Sequence, residues 1–264
     1  LTGKPFGMNV LVEKNAGTYE EKMRRWVDIA LEEGCRFFIT ALGNPGWVIE
    51  KVKSKGAIIY HNVTKLKWAE KARQYGIDGL VCVNDRAGGH AGSENPEALF
   101  TSLSSLKLPL ICAGGVGDEK RFIEALKLGY EGVQMGTRFI ATFECASHLD
   151  YKKAILNAGK DDIVLTERVT GIPLSVIRTP YVEKVGLRVD PVSRWLFKNR
   201  RTRHWIRAFY NLRALWTMKR SSLVGLTTKD YYQAGQSVES IHEIESVATI
   251  IQRFAKAWIE SARS

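Results

Sequence analysis

The sequence predicts an α/β protein built on a parallel sheet, and three observations indicate this fold class. Short apolar runs alternate with longer amphipathic runs between Phe6 and Phe139. Glycine or polar residues follow nearly every short run. The composition, with 45% hydrophobic and 25% charged residues among 264, is that of a globular protein and excludes collagen-like, disulfide-scaffold and wholly disordered chains.

Six short runs are predicted as strands, because each is nearly continuous in apolar residues and is bounded by Gly, Pro or Asn. They are residues 7–12, 36–40, 57–61, 79–83, 109–113 and 132–135. The amphipathic runs predict helices, since their apolar residues recur at helical spacing. These helices are residues 18–34, 65–75, 95–106, 118–128, 151–158 and 239–262.

The residues at the ends of the predicted strands distinguish two architectures. An open doubly wound sheet concentrates functional groups at one switch point, whereas a (β/α)8 barrel spreads them over the carboxyl ends of many strands. Here polar or glycine-rich residues follow most of the strands, so we expect a TIM-barrel type of fold. Because six strands cannot close an eight-stranded barrel, we also expect that the first two β/α units are missing from this chain.

A basic segment interrupts the β/α pattern at residues 186–226. It holds ten Lys and Arg residues against one Asp, and so carries most of the net charge of +11. Its apolar residues recur at helical spacing, which predicts a helical insertion. We therefore divide the chain into a partial barrel with the functional site (1–185), this insertion, and a helical segment that completes the barrel domain (227–264).

Three interpretations of the basic segment stay open. Its cations and Trp195, Trp205 and Trp216 could attach to an anionic membrane surface or to an acidic protein. The segment could instead pack its aromatic residues on the barrel and leave its arginines in water. Nucleic acid is the least favoured partner, because no nucleic-acid motif accompanies the segment and the rest of the chain is nearly neutral.

The apolar runs and the cysteines bear on the cellular compartment. No run approaches the roughly 18 consecutive apolar residues of a membrane span, and residues 1–6 lack the layout of a secretory signal, so we expect a cytoplasmic protein. The cysteines lack the close pairing of zinc or redox sites, so we expect reduced thiols and no metal site. They are Cys35, Cys82, Cys112 and Cys145.

Glycine-rich stretches follow three successive predicted strands and hold the candidate site. The first, residues 87–92, presents His90 from a glycine loop instead of an apolar face. Loop amides at such positions of a barrel commonly hold a phosphate, whereas the dinucleotide fingerprint and the P-loop are both missing from the sequence. A phosphorylated flavin or sugar is therefore the better prediction. The residues are Gly88, Gly89, Gly114, Gly115, Gln134, Met135, Gly136 and Thr137.

Taken in order along the chain, these motifs resemble those of the nitronate monooxygenase family. The resemblance rests on residues 4–9, 87–92, 113–115, 134–142, Glu144, 151–153, 162–164, 170–171 and 233–236. It covers most of the chain apart from the basic segment. The resemblance implies an FMN-dependent TIM-barrel enzyme that oxidises alkyl nitronates with O2 and takes a small-molecule substrate.

The resemblance also implies roles for individual residues. His90 matches the catalytic histidine of the family, which hydrogen-bonds or deprotonates the nitro substrate. Asn9 would contact the flavin, and Gly88 and Gly89 would approach its ring or ribityl chain. Val83 stands where family members often have a polar residue, commonly Gln. The phosphate would rest on Gly114, Gly115, Gln134, Met135, Gly136 and Thr137.

Two other functions stay open at this point. FMN-dependent enoyl-acyl-carrier-protein reductases share the glycine-loop motifs with the nitronate family but consume NAD(P)H. A flavin-barrel remnant that binds a membrane or a partner through residues 186–226 is the alternative that is not an enzyme. His61, at the end of a predicted strand, either lines the pocket or is a buried structural histidine.

Overall fold

The computed structural model describes residues 3–12, 17–169, 173–189, 195 and 231–263. Within it the chain divides into two compact units. The first unit consists of Leu1–Asn84, Ser93–Ala113 and Ala125–Val133, and the second of Asp85–Gly92, Gly114–Glu124 and Gln134–Ser264. The loops that follow three of the strands in the chain therefore belong to the second unit.

A six-stranded sheet forms the centre of the first unit. Its strands are β1 (Gly7–Leu11), β2 (Phe37–Ala41), β3 (Ile58–Val63), β4 (Gly79–Val83), β5 (Leu110–Ala113) and β6 (Gly132–Gln134). The strands lie side by side in chain order, and the pairs from β1 to β5 are parallel, with Val10 beside Thr40. A doubly wound sheet reverses its order at a switch point, whereas an unbroken order is that of a TIM-barrel type of fold, as predicted.

Helices alternate with these strands along the chain. They are α1 (Gly17–Glu32), α2 (Gly46–Lys53), α3 (Leu66–Gln74), α4 (Pro96–Ser104) and α5 (Glu119–Leu128), the last of which spans both units. Helix α4 begins after Asn95, whose side chain accepts a hydrogen bond from the Ala98 amide at 2.8 Å and caps the helix. Helix α2 was not predicted, because its eight residues are too few to establish a helical period.

The hydrophobic core of the first unit forms from one face of the sheet and the apolar stripes of its helices. Phe38, Ile59 and Leu80 come from neighbouring strands and are fully buried. Val27 and Leu31, one helical turn apart on α1, belong to the same core. Each such side chain contributes roughly 1.5–3 kcal/mol through the apolar surface that it removes from water.

His61 lies within the packed interior of the first unit. It is buried on β3, and its Nδ1 is 2.8 Å from the Thr40 hydroxyl oxygen on β2. Burial lowers the pKa of His61 to about 4, so the ring is neutral near pH 7. Of the two interpretations of this residue, the structure supports the structural one.

The second unit contains a β-hairpin, further helices and two 3-10 turns. The elements are α6 (Thr137–Ile140), α7 (Leu149–Asn157), the turn Lys160–Asp162, β7 (Ile163–Thr166), β8 (Leu174–Ile177), α8 (Pro180–Val185), the turn Gln236–Ser240 and α9 (Val247–Ser261). Strands β7 and β8 pair in antiparallel fashion, with Ile163 opposite Ile177. This hairpin was not predicted, because its two four-residue strands carry too little pattern.

The prediction of one helix over residues 239–262 is wrong in its first part. Helix α9 begins only after Ser246, whose hydroxyl accepts a hydrogen bond from the Thr249 amide at 3.0 Å and caps the helix. Ile241 lies in the core of the second unit but outside the helix. Its apolar side chain is buried by tertiary packing. The spacing between Ile241 and the apolar residues of α9 therefore matches a helical pattern although Ile241 is not helical.

The basic segment lies mostly outside the described residues, which include only residues 186–189 and Trp195 of it. The division of the chain at residues 185 and 226 and the partners of this segment therefore stay predictions. Among the helices that the structure describes, none combines the length and the apolar character that crossing a membrane requires.

The lowered pKa of His61 predicts a pH dependence of stability. Between pH 6.5 and about pH 4 the unfolded chain binds a proton at His61 and the folded chain does not, so stability falls as the pH falls through this range. The full shift corresponds to about 3 kcal/mol. In urea unfolding measured from pH 7 to pH 4, His61→Gln should flatten this part of the slope.

The exposed His242 provides the control for this measurement. His242→Gln should leave the slope as it is in the parent protein. Equal slopes for the parent protein and His61→Gln would contradict the neutral, buried state of His61.

Candidate active site

Four segments of the second unit meet around glycine residues. They are residues 85–92, 114–117, 134–138 and 233–240, and we call them the glycine cluster. The first three follow β4, β5 and β6 in the chain and were predicted as site loops. The fourth was recognised only as a motif of the family, and no role was predicted for its residues.

The loop that carries His90 is anchored by strand β8. Gly89 and Ser175 form an antiparallel bridge, in which the Ser175 amide donates to the Gly89 carbonyl at 2.7 Å. Gly89 has a φ of +72°, a conformation that residues with a side chain rarely adopt, so the bridge requires glycine here. The residue next to the bridge, His90, is therefore presented from a fixed backbone.

His90 is exposed, yet its electrostatic surroundings are not those of a free imidazole in water. Protein atoms around the loop desolvate the ring and lower the pKa of His90 below its ordinary value. The neutral imidazole, which can accept a proton, therefore predominates near pH 7. Exposure to a ligand and a neutral state are the two properties that a general base needs.

Residues 233–240 pack backbone to backbone against the loop of His90, and the closest approach is at Gly235. A Cβ added to Gly235 would lie 2.5 Å from the Arg86 carbonyl oxygen and 2.7 Å from the Gly88 nitrogen. A Cβ on Gly88 would lie 2.9 Å from the carbonyl carbon of Ala234. The Gln236 amide donates to the Arg86 carbonyl at 2.9 Å. Both glycines are required because only backbones without side chains can approach this closely.

Side chains from α6 and α7 hold residues 233–235 in place. The Thr137 hydroxyl oxygen accepts a hydrogen bond from the Gly235 amide at 3.0 Å. The Tyr151 hydroxyl donates to the Gln233 carbonyl, and its ring stacks on Tyr232 with the ring centroids 4.7 Å apart. Tyr151 and Tyr232 were not predicted as site residues, because helical periodicity explains a buried tyrosine on α7 equally well.

The loop after β5 carries two consecutive glycines with positive φ. Gly114 has a φ of +119° and Gly115 one of +80°. A Cβ on Gly115 would lie 2.9 Å from Cδ of Arg86, and a Cβ on Gly117 would lie 2.6 Å from the Ser237 carbonyl oxygen. The loop is therefore packed closely against two other segments of the glycine cluster.

The loop after β6 borders open space at Gly136. A Cβ added to Gly136 would meet no described atom within 4 Å. Gln134 is exposed and Met135 is half-buried beside it. Closely packed glycine backbones next to an open loop fit a phosphorylated ligand such as FMN, because loop amides can approach the phosphate and no side chain occupies its place.

The glycine cluster contains every predicted site residue except Asn9. Asn9 lies on β1 of the first unit, and its side chain is exposed. Val83, which stands at the position that is commonly polar in the family, is half-buried at the end of β4. The contact of Asn9 with a cofactor stays a prediction.

A buried charge network supports the loop after β6, and the sequence analysis did not find it. Arg138 is buried, donates to the Ala141 carbonyl at 2.7 Å and lies 3.3 Å from the Glu245 carboxylate. Arg253 bridges Glu245 at 3.1 Å and Glu119 at 2.6 Å. Burial lowers the pKa of Arg138, while the Glu245 carboxylate opposes this shift. The network ties the loop to α9 and to the first residue of α5.

The close approach at Gly235 predicts that a single methyl group destabilises the glycine cluster. Gly235→Ala should lower the unfolding free energy by about 1–3 kcal/mol, because the new Cβ meets backbone atoms that cannot rotate away. The matched control is Gly136→Ala, which places its Cβ in open space and should leave the melting temperature unchanged. Equal melting temperatures for the two variants would contradict the packing described here.

The buried network predicts a second stability effect. Arg138→Met should cost about 1–3 kcal/mol in urea unfolding at pH 7, because the Ala141 carbonyl loses its buried donor and the Glu245 carboxylate keeps only Arg253. Arg121→Met is the control, since Arg121 and Glu124 form an exposed pair that contributes about 0–1 kcal/mol. An Arg138→Met variant as stable as this control would show that the network does not carry a buried charge.

Comparisons with known proteins show which proteins this chain is similar to. A relative from Mycobacterium tuberculosis, (3aS,4S,5R,7aS)-5-hydroxy-7a-methyl-1-oxo-octahydro-1H-indene-4-carboxyl-CoA dehydrogenase, is 33% identical over 190 residues, which are 70% of this chain and 52% of the relative. A probable nitronate monooxygenase from Staphylococcus saprophyticus is 28% identical over 198 residues, covering 70% of this chain and 56% of the relative. The chain thus spans about half the length of the curated relatives that it matches.

Among solved structures, FabK from Thermotoga maritima superimposes with a TM-score of 0.80 and 28% sequence identity, covering 99% of this chain and 78% of FabK. This similarity confirms the predicted α/β fold of TIM-barrel type. The family model of the nitronate monooxygenases matches residues 1–256. The chain therefore belongs to the nitronate monooxygenase family.

Proposed function

We propose that this chain oxidises alkyl nitronates and related nitroalkanes with O2, using FMN. The observation that carries the proposal is the placement of a neutral, exposed histidine on a loop whose glycine backbone is fixed at Gly89 by β8 and at Gly88 by residues 233–236. The same unit contains the open loop at Gly136 that fits a phosphorylated ligand. A base and a cofactor site in one cluster are what this reaction requires.

The residues of the glycine cluster would hold FMN by backbone contacts. Gly88 and Gly89 would lie along the flavin ring or its ribityl chain. The backbone of Gly114 and Gly115 and the turn of Gln134, Met135, Gly136 and Thr137 would hold the phosphate. Bound FMN supplies the two-electron oxidation of the substrate and the reaction with O2.

His90 would act on the substrate. In its neutral form the imidazole can accept the proton from the α-carbon of a nitroalkane, which leaves the nitronate and an imidazolium ion. With a nitronate as substrate, the ring N–H donates a hydrogen bond to a nitro oxygen and orients the molecule. The lowered pKa of His90 favours the first role near pH 7, because the ring is already deprotonated.

A second candidate function is that of an FMN-dependent enoyl-acyl-carrier-protein reductase, which uses NAD(P)H to reduce the carbon–carbon double bond of an enoyl thioester. The observation that favours it is the similarity to FabK from Thermotoga maritima, with a TM-score of 0.80 and 28% sequence identity. Both candidates would use the same glycine cluster and FMN. They differ in the electron donor, which is the nitronate itself in one case and NAD(P)H in the other.

Anaerobic reduction of the FMN-loaded protein separates the two candidates. Mixing with an alkyl nitronate should bleach the flavin absorbance, whereas NADPH should leave it unchanged. Bleaching by NADPH alone would reject the first candidate in favour of the second. A purified protein that shows no flavin absorbance after incubation with FMN would contradict both.

His90 provides a further test of the candidate site. His90→Asn should retain FMN and thermal stability, and kcat with a neutral nitroalkane should fall by about 10²–10⁴-fold, because the base is lost. In the parent protein, kcat/KM should decline only below pH 6.5, since the pKa of His90 is lowered and protonation removes the base. The variant should lack this decline. Unchanged turnover in His90→Asn would show that His90 has no role in the reaction.

A further inference from the structure

We propose that Arg86 binds the phosphate of the flavin at the loop of residues 114–117. This inference rests on the proposed function, since it concerns the cofactor of the same site. In the chain, Arg86 comes directly before the glycine loop of residues 87–92 that carries His90. Its position in the structure distinguishes it from the other cations of the second unit.

The side chain of Arg86 lies along the loop that would carry the phosphate. From a Cβ built on Gly115, the Arg86 side chain is 2.9 Å away at Cδ, 3.0 Å at Cβ and 3.5 Å at Cγ. The aliphatic part of the Arg86 side chain therefore lies where a side chain on Gly115 would lie. The guanidinium at the end of this stem would then lie beside a phosphate that the loop holds.

The backbone of Arg86 is held in place before any ligand binds. Its carbonyl accepts a hydrogen bond from the Gln236 amide at 2.9 Å, and Gly235 packs against the same carbonyl. Gly115 thus confines the aliphatic part of the Arg86 side chain, and residues 235–236 confine the Arg86 main chain. Such confinement lowers the entropy cost of forming an ion pair with a ligand.

Acidic side chains follow the loop in the chain, so a cation would favour phosphate binding there. Asp118 and Glu119 come directly after the loop. The Asp118 carboxylate already accepts the Arg121 amide at 2.8 Å at the start of α5, and Glu119 is paired with Arg253. A phosphate with a charge of about −1.5 to −2 would be repelled by the Asp118 carboxylate without a compensating cation.

Arginine is suited to this role by its chemistry. Its planar guanidinium can donate two parallel hydrogen bonds to phosphate oxygens, and it stays charged at every pH of interest. Arg86 combines this chemistry with a side chain that lies against Gly115.

The test compares FMN with riboflavin, which lacks the phosphate. Dissociation constants are measured on the full chain, freed of flavin, by quenching of flavin fluorescence. Arg86→Met keeps the unbranched stem on Gly115 and removes the charge. The variant should bind FMN about 10- to 100-fold more weakly, because it loses charge-assisted hydrogen bonds, and should bind riboflavin within about threefold of the parent protein.

Three further measurements make the result specific. Arg86→Lys, which keeps the charge without the fork, should have an intermediate affinity for FMN. Arg121→Met, an exposed change of the same charge, should bind both flavins as the parent does. FMN binding by the parent should weaken with added salt more than binding by Arg86→Met, because salt screens the ion pair. Arg86→Gln replaces Arg86→Met if the latter does not fold.

Each other outcome contradicts the inference. Equal losses for FMN and riboflavin in Arg86→Met would show that Arg86 serves only packing. Unchanged FMN affinity in that variant, with a parent protein that binds FMN, would overturn the inference and leave the proposed function standing. A parent protein that binds neither flavin would overturn the proposed function together with the inference.

Discussion

The candidate site depends on one close approach between two backbones. Gly235 lies so near Arg86 and Gly88 that there is no space for a single methyl group, although these residues are about 150 positions apart in the chain. The Gln236 amide adds a hydrogen bond at the same point. Because the loop of His90 has little regular structure of its own, this contact and the bridge to Ser175 determine where the histidine is presented.

The two histidines with lowered pKa values show why such a shift alone does not identify a functional residue. Burial lowers the pKa of His61 to about 4, and desolvation lowers that of His90 as well. His61 is buried within the first unit beside the Thr40 hydroxyl. His90 is exposed on a glycine loop. Accessibility to a ligand, added to the neutral state, distinguishes the candidate base from the structural histidine.

A charge network in the second unit begins at Arg138, in the glycine cluster, and extends beyond the cluster. A continuous network of ion pairs joins the loop after β6, the segment before α9 and the start of α5. Its members are Arg138, Glu245, Arg253 and Glu119. Buried charges of this kind cost desolvation energy and are retained when they are well paired. The network stabilises the backbone that the cofactor would contact, while the glycine loops themselves present mainly amide groups.

The sequence by itself determined the strands, their alternation with helices, and the glycine loops that follow β4, β5 and β6, because each of these features is written in a local pattern of a few residues. It also predicted His90 and the glycines of those loops as candidate site residues. Only the tertiary structure decided the role of residues 233–236, the hairpin of β7 and β8, the true start of α9 at Val247 and the burial of His61. These depend on contacts between segments that are distant in the chain, and no local periodicity encodes such contacts.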